Sequence, residues 1–208
     1  MAGSRSTVLF AVLFTIACAS AGVPSSGIAD GAVKDAYLPL SGWSLHLKGL
    51  SVQRGAALVV APHVAVTNAH NANLLPPDSI LAQSDYDLVF FRTEKLSPPN
   101  FAKPFVGQTV IAYGNNSGGL REAAGTVRLL DESVPPLCAN CRAQHALVFD
   151  ANAGPGFSGG PVVDSGTGAV LGIVFGYLDE RGGRRMYAYD IELVMGEMHR
   201  LLDAAGQR

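Results

Sequence analysis

The sequence predicts an all-β fold with a single helix at its C-terminal end. Three observations lead there. Short apolar or alternating runs recur along the chain. With 24 Gly and 12 Pro, the chain has turn residues enough to separate them. An apolar face at helical spacing stands out only near the end. Many short strands between frequent turns bury their apolar faces by closing as a sandwich or as barrels.

Residues 1–21 read as a targeting segment. Arg5 gives a short positive beginning, and residues 7–17 form an apolar run too short to span a bilayer as an ordinary helix. Two processing readings stand side by side. Ala19-Ser20-Ala21 fits the small-x-small rule of a secretory signal, with the mature chain starting at Gly22. Thr15-Ile16-Ala17-Cys18 resembles a bacterial lipobox, in which Cys18 is lipidated and attaches the protein to a membrane. Either route exports the chain, to the periplasm, the outer membrane or the medium. Residues 22–34 are rich in Gly, Ser and Ala and read as a flexible linker, which leaves 35–208 as one folded domain.

Strands are expected over 43–52, 56–60, 64–67, 79–83, 87–92, 109–113, 125–130, 146–149, 161–163, 169–175 and 185–188. The helix is expected over 191–204, where Ile191, Val194, Met195, Met198, Leu201 and Leu202 share one face and Asp190 can cap the start. A formal net charge of −2 gives no electrostatic footprint for nucleic acid. Of 3 cysteines, Cys18 falls in the targeting segment, and an exported chain can join Cys138 to Cys141 in a small disulfide. Zinc would need two ligands more; His145 is near, but nothing completes a set, so no metal is expected.

The chemistry centres on Gly154-Pro155-Gly156-Phe157-Ser158-Gly159-Gly160-Pro161. Glycines let the backbone turn tightly and aim several N–H groups at one place, which suits a hydroxyl nucleophile beside an oxyanion hole. Alone, such a G-x-S-x-G pattern is as well explained by a loop between strands. A serine nucleophile needs a base, usually a histidine oriented by a carboxylate. His70 closes the strand-like Val64-Ala65-Val66-Thr67-Asn68-Ala69, and Asp87 opens the apolar Leu88-Val89-Phe90-Phe91. A carboxylate at the mouth of such a strand is costly to bury unless it receives hydrogen bonds, and an imidazole N–H can supply one.

These segments together resemble the chymotrypsin-like (trypsin-like) serine proteases, closest to the bacterial HtrA-type catalytic domain. Thr67-Asn68-Ala69-His70 is similar to the T-x-A-H motif, Asp87-Leu88-Val89-Phe90 to the D-[IL]-A-[LV] motif, and Gly156-Phe157-Ser158-Gly159-Gly160-Pro161-Val162 to the G-x-S-G-G-P-[VL] motif. The resemblance covers roughly residues 44–202. The order His, Asp, Ser excludes the α/β-hydrolases, in which the serine comes first and the histidine last. The resemblance implies two antiparallel β-barrels followed by the helix, with His70 and Asp87 on the first barrel and Ser158 on the second. It implies an oxyanion hole from the N–H groups of Gly156 and Ser158, a substrate pocket with Asn152 at its base, and Val174 and Phe175 on the strand that lines the substrate. The expected activity is peptide hydrolysis through an acyl-enzyme, without cofactor or metal.

The chain departs from the family in four places. The interval from His70 to Asp87 is short, which keeps Asp85 and Asp78 as alternatives. Asn152 is not an aspartate, so no preference for Arg or Lys is implied. No PDZ-like module follows. Phe157 stands where many relatives carry an aspartate that pairs with a newly cut N-terminus, so activation by that ion pair is not expected. Residues 22–34 would then be a spacer, and chains starting at Gly22, Gly27 or Lys34 would be equally active. Two other functions use the same residues: a catalytically silent binding module anchored by lipid, and an esterase.

Overall fold

The computed structural model describes residues 21–46, 49–134, 144–181 and 183–206. Cys18 and the Cys138–Cys141 pair lie outside them. The chain builds two antiparallel sheets and two helices in the order β1 (Val23–Pro24), α1 (Gly31–Ala36), β2 (Tyr37–His46), β3 (Gly49–Ala61), β4 (Val64–Thr67), β5 (Ile80–Gln83) and β6 (Val89–Arg92). Then follow β7 (Thr109–Asn116), β8 (Gly119–Val134), β9 (Gln144–Ala151), β10 (Pro161–Asp164), β11 (Val170–Glu180), β12 (Gly183–Asp190) and α2 (Ile191–Gly206). The first sheet has the order β2-β3-β4-β6-β5, and the second β1-β8-β7-β10-β11-β12-β9 with β8 also pairing β9. That extra pairing curls the second sheet round on itself. The trypsin-like two-barrel plan with a C-terminal helix is the observed fold.

Burial follows the sequence pattern. In the first sheet Leu58, Val66 and Phe90 are fully buried, as is Leu88 just before β6, and in the second Leu147, Phe149, Leu171 and Ile173 are. One apolar cluster runs from the first sheet across the seam to Tyr187, Tyr189 and the inner face of α2. A second, inside the second sheet, gathers Phe157, Val162, Leu171 and Ala21. Helix α2 starts where expected: Asp190 Oδ1 accepts the Glu192 N–H at 2.7 Å, and Ile191, Val194 and Met198 are buried.

Two expectations fail. Residues 43–52 are not one strand. The β2–β3 hairpin pairs Trp43 with Val52 and His46 with Gly49, so the alternation that reads as continuous actually reverses direction through a two-residue connection. Residues 22–34 are not a flexible linker. Val23 and Pro24 pair with Glu122 and Arg121 of β8. Asp30 caps α1, its Oδ1 accepting the Val33 N–H at 2.9 Å. Ile28, Val33 and Ala36 are buried. Small residues dominate the composition there, and that hid the few apolar side chains that anchor the segment.

Candidate active site

Strand β4 ends at Thr67, and a short 3-10 helix, Ala69–Leu74, carries His70 out toward the seam between the sheets. The residues before the histidine are tied down. Thr67 Oγ1 donates to the Ala56 carbonyl at 2.6 Å, and Asn68 Nδ2 and the Ala69 N–H donate to the Asp87 carbonyl at 3.0 and 3.2 Å.

Asp87 is 5% exposed, and its polar groups are met. Its Oδ1 accepts the His70 main-chain N–H at 3.0 Å and its Oδ2 lies 2.6 Å from His70 Nδ1. Its own N–H donates to the Tyr189 hydroxyl at 3.0 Å. A charged acceptor with two donors escapes much of the cost of burial. The pairing also puts the proton of a neutral imidazole on Nδ1 and leaves Nε2 free to accept one. Burial pushes the Tyr189 hydroxyl well above its ordinary value, outweighing the opposing hydrogen bond from Asp87, so it stays neutral. Asp85 and Asp78 are exposed, whereas the carboxylate that meets the His70 ring is that of Asp87. The short interval between His70 and Asp87 is closed by the β5–β6 hairpin, which returns the chain directly to β4.

Residues 154–160 make two successive tight turns. The Phe157 N–H donates to the Gly154 carbonyl at 3.0 Å, and the Gly160 N–H to the Phe157 carbonyl at 2.9 Å. The third residue of each turn is a glycine at positive φ, Gly156 at +93° and Gly159 at +81°, as a type II turn requires. Space demands glycine too. A Cβ on Gly156 would sit 2.2 Å from the Asn115 carbonyl oxygen, and one on Gly159 would sit 2.0 Å from that of Ala56.

The turn is stitched to both sheets. The Ser158 carbonyl accepts the Ala56 N–H at 2.9 Å and Asn71 Nδ2 at 3.1 Å, both from the first sheet's side. On the other side the Gly159 N–H donates to Val174 and the Val174 N–H to Gly160, at 2.8 and 2.9 Å. This brings Ser158 to the seam, next to the helix that bears His70. Ser158 Oγ makes no hydrogen bond among the described residues; such nucleophile–base contacts often tighten only with substrate bound. The Phe157, Gly159 and Gly160 N–H groups all have acceptors, whereas those of Gly156 and Ser158 have none among the described residues. Two adjacent unpartnered donors can receive a developing negative charge.

The expected substrate residues fare differently. Asn152 is exposed and lines a cavity of about 710 Å³ with Asp150, Asp179, Glu180 and Arg184. Arg184 Nη1 donates to the Ala153 carbonyl at 2.8 Å, and its guanidinium lies 4.7 Å over the Tyr177 ring. Val174 and Phe175, expected to line the substrate, have their side chains in the interior, 1% and 2% exposed. The Phe175 ring lies against Tyr189, 4.4 Å between centroids, at the point where β11 bulges against β12. The first residues of β11 with an exposed face are Gly176 and Tyr177. Two residues that shape the site went unnoticed in the sequence: Asn71 and Tyr189. Asn71 alone had a local signal, since it follows His70 directly. No three His, Cys, Asp or Glu side chains among the described residues converge to hold a metal ion.

Comparison with known proteins gives the same architecture. Residues 51–173 match the family model described as "Trypsin-like peptidase domain", a span that contains His70, Asp87 and Ser158. None of the curated proteins matches the chain. Among solved structures, the Rv3671c protease from M. tuberculosis in its active form superposes with a TM-score of 0.66 at 20% identity, covering 94% of each chain. The MamO protease domain from Magnetospirillum magneticum does so at 0.62 and 18%, covering 80% of this chain and 97% of that one. The HtrA-type protease AlgW with tripeptide gives 0.62 and 17%, over 80% of this chain and 60% of that one. At these identities the likeness is one of fold. The family match spans more than half of the sequence, and on it the chain belongs to the trypsin-like peptidase domain family.

Proposed function

We propose that the protein is an exported serine endopeptidase that cleaves peptide bonds through Ser158, His70 and Asp87. The observation that carries this reading is the saturated Asp87–His70 pair beside a turn that leaves the Gly156 and Ser158 N–H groups without acceptors. Ser158 Oγ attacks the peptide carbonyl while His70 Nε2 takes its proton. Asp87 holds the ring and offsets the charge of the imidazolium. The tetrahedral oxyanion points at the Gly156 and Ser158 N–H groups. His70 then gives its proton to the leaving amine, and water repeats the sequence on the acyl-enzyme. Substrate enters along the exposed face of β11 at Gly176 and Tyr177, with the residue before the cut beside Asn152. Export follows from the targeting segment, by cleavage after Ala21 or by lipidation of Cys18.

Fluorophosphonate labelling tests the reading. The unaltered chain should label at Ser158, and Ser158→Ala should abolish labelling and lower peptide hydrolysis by about 10⁶ with the fold intact. Full labelling of the alanine variant would place the nucleophile elsewhere.

A further inference from the structure

The residue before the nucleophile is held by a part of the chain more than a hundred positions away. Phe157 is fully buried between two glycines. A Cβ on Gly114 would lie 2.6 Å from its Cγ, and a Cβ on Gly22, whose φ is +67°, would lie 2.7 Å from its Cζ. Gly22 can press on the ring because residues 21–24 are fastened into the second sheet. The Gly22 N–H donates to the Asn152 carbonyl at 2.5 Å, and Ala21 is 7% exposed among the side chains around Phe157. Farther along, the Ser25 N–H donates to the Leu120 carbonyl at 3.1 Å and Ser25 Oγ to Glu122 Oε2 at 2.6 Å.

The cationic member of this brace is Arg121, on β8 opposite both Gly114 and Pro24. It is 6% exposed. Its Nε donates to the Ala21 carbonyl at 3.3 Å and its Nη2 to the Gly22 carbonyl. Phe157 has no charge with which to attach the turn. The attachment is instead made by main-chain carbonyl dipoles facing a buried guanidinium, a charge-assisted arrangement that uses Arg as a fork. From there contact is continuous to the reacting groups. Gly22 touches Phe157, the Phe157 N–H closes the turn on Gly154, and the Asn115 N–H, one residue from Gly114, holds the Gly156 carbonyl at 2.8 Å.

We propose that Arg121 is a positioning residue for the Ser158 turn: by holding the Gly22 carbonyl, and that of Ala21 where lipidation at Cys18 retains it, it seats the start of the segment on Phe157 and fixes the direction of the Gly156 and Ser158 N–H groups. The proposal rests on the reading of Ser158 as the nucleophile. It replaces the expectation that this segment is an inert spacer, and it needs no free α-amino group.

The test uses the full chain with Arg121→Met, which keeps the apolar stem and removes the donors, and Arg121→Lys, which restores a single donor. Turnover per folded molecule and affinity for a peptide aldehyde, which forms a tetrahedral adduct, should both fall by about 10²-fold in the Met variant, the scale of a small misplacement of reacting groups. KM should change by no more than about twofold, and Lys should recover part of the loss. A merely structural role would lower activity only in proportion to the folded fraction. Gly22→Ala attacks the same contact from the other side with Arg121 intact, and should move the same readouts in the same direction. Aldehyde affinity and per-molecule turnover unchanged in both Met and Ala variants would overturn the proposal. Hydrogen exchange separates this failure from failure of the proposed activity. Amides of residues 156–160 should exchange faster in Arg121→Met whether or not the protein hydrolyses peptides. Unchanged exchange defeats the brace. Faster exchange in a chain that never labels supports the brace and defeats the peptidase reading.

Discussion

His70 Nδ1 stands 2.6 Å from Asp87 Oδ2, and His145 Nδ1 stands 2.5 Å from Asp131 Oδ1. By distance the two pairs are the same object. Their surroundings differ. The Asp87 side chain is 7% exposed and the Asp131 side chain 72%. Asp87 accepts a second hydrogen bond from the His70 main chain, and its N–H and carbonyl are held by Tyr189, Asn68 and Ala69. Asp131 on β8 and His145 on β9 face one another with both side chains mostly exposed. An exposed pair of this kind contributes about 0–1 kcal/mol and constrains little. The buried pair can fix a ring orientation because the aspartate is immobilised from several directions at once. A short histidine–aspartate contact therefore says little about function until the carboxylate's other bonds are counted.

The sharpest way to break the comparison is to make the same substitution in both pairs. Asp87→Asn keeps the shape but favours the wrong tautomer, and turnover should fall by about 10⁴. Asp131→Asn should leave turnover unchanged in the same peptide assay. Equal losses would mean that burial is irrelevant to the role. A smaller effect is expected at the support of Asp87. Tyr189→Phe leaves the buried Asp87 N–H without its acceptor, which should cost about 1–3 kcal/mol in denaturant unfolding. Turnover should drop with it, and an unfolding midpoint equal to that of the unaltered chain would show that Asp87 is anchored by other contacts. The smallest effect belongs to His145→Ala, for which stability should change by about 0.5 kcal/mol or less. A larger change, removed by salt, would show that the exposed pair matters more than its exposure implies.

The sequence discloses the His70–Asp87 pair and the proposed nucleophile, Ser158, because each sits in a short run whose residue types fit its job. Thr67, His70, Asp87 and the glycines around Ser158 are all local signals. The supports were not legible, for a physical reason. Tyr189 reaches Asp87, and Arg121 reaches Ala21 and Gly22, across about a hundred residues, and neither partner has a composition that names the other. The tether expected at residues 22–34 shows the limit of composition from the other direction. Gly22 there is a contact surface for Phe157, and a segment rich in small residues can be as tightly placed as an apolar strand. The resemblance implies that Val174 and Phe175 lie on the strand lining the substrate, but the bulge in β11 and the ring contact with Tyr189 turn the Phe175 side chain inward.

The Ser158 carbonyl, held by the Ala56 N–H and by Asn71 Nδ2, has a mechanical meaning. A hinge that spread the two halves of the molecule would have to break both bonds and pull Gly159 away from the Ala56 carbonyl, at the very point where geometry matters most. Two net hydrogen bonds at about 0.5–1.5 kcal/mol each make that motion unfavourable before any other contact is counted. The seam acts as a weld. Under the proposed peptidase reading, a peptide would meet two halves already fixed against one another, with no hinge closure needed to assemble the site.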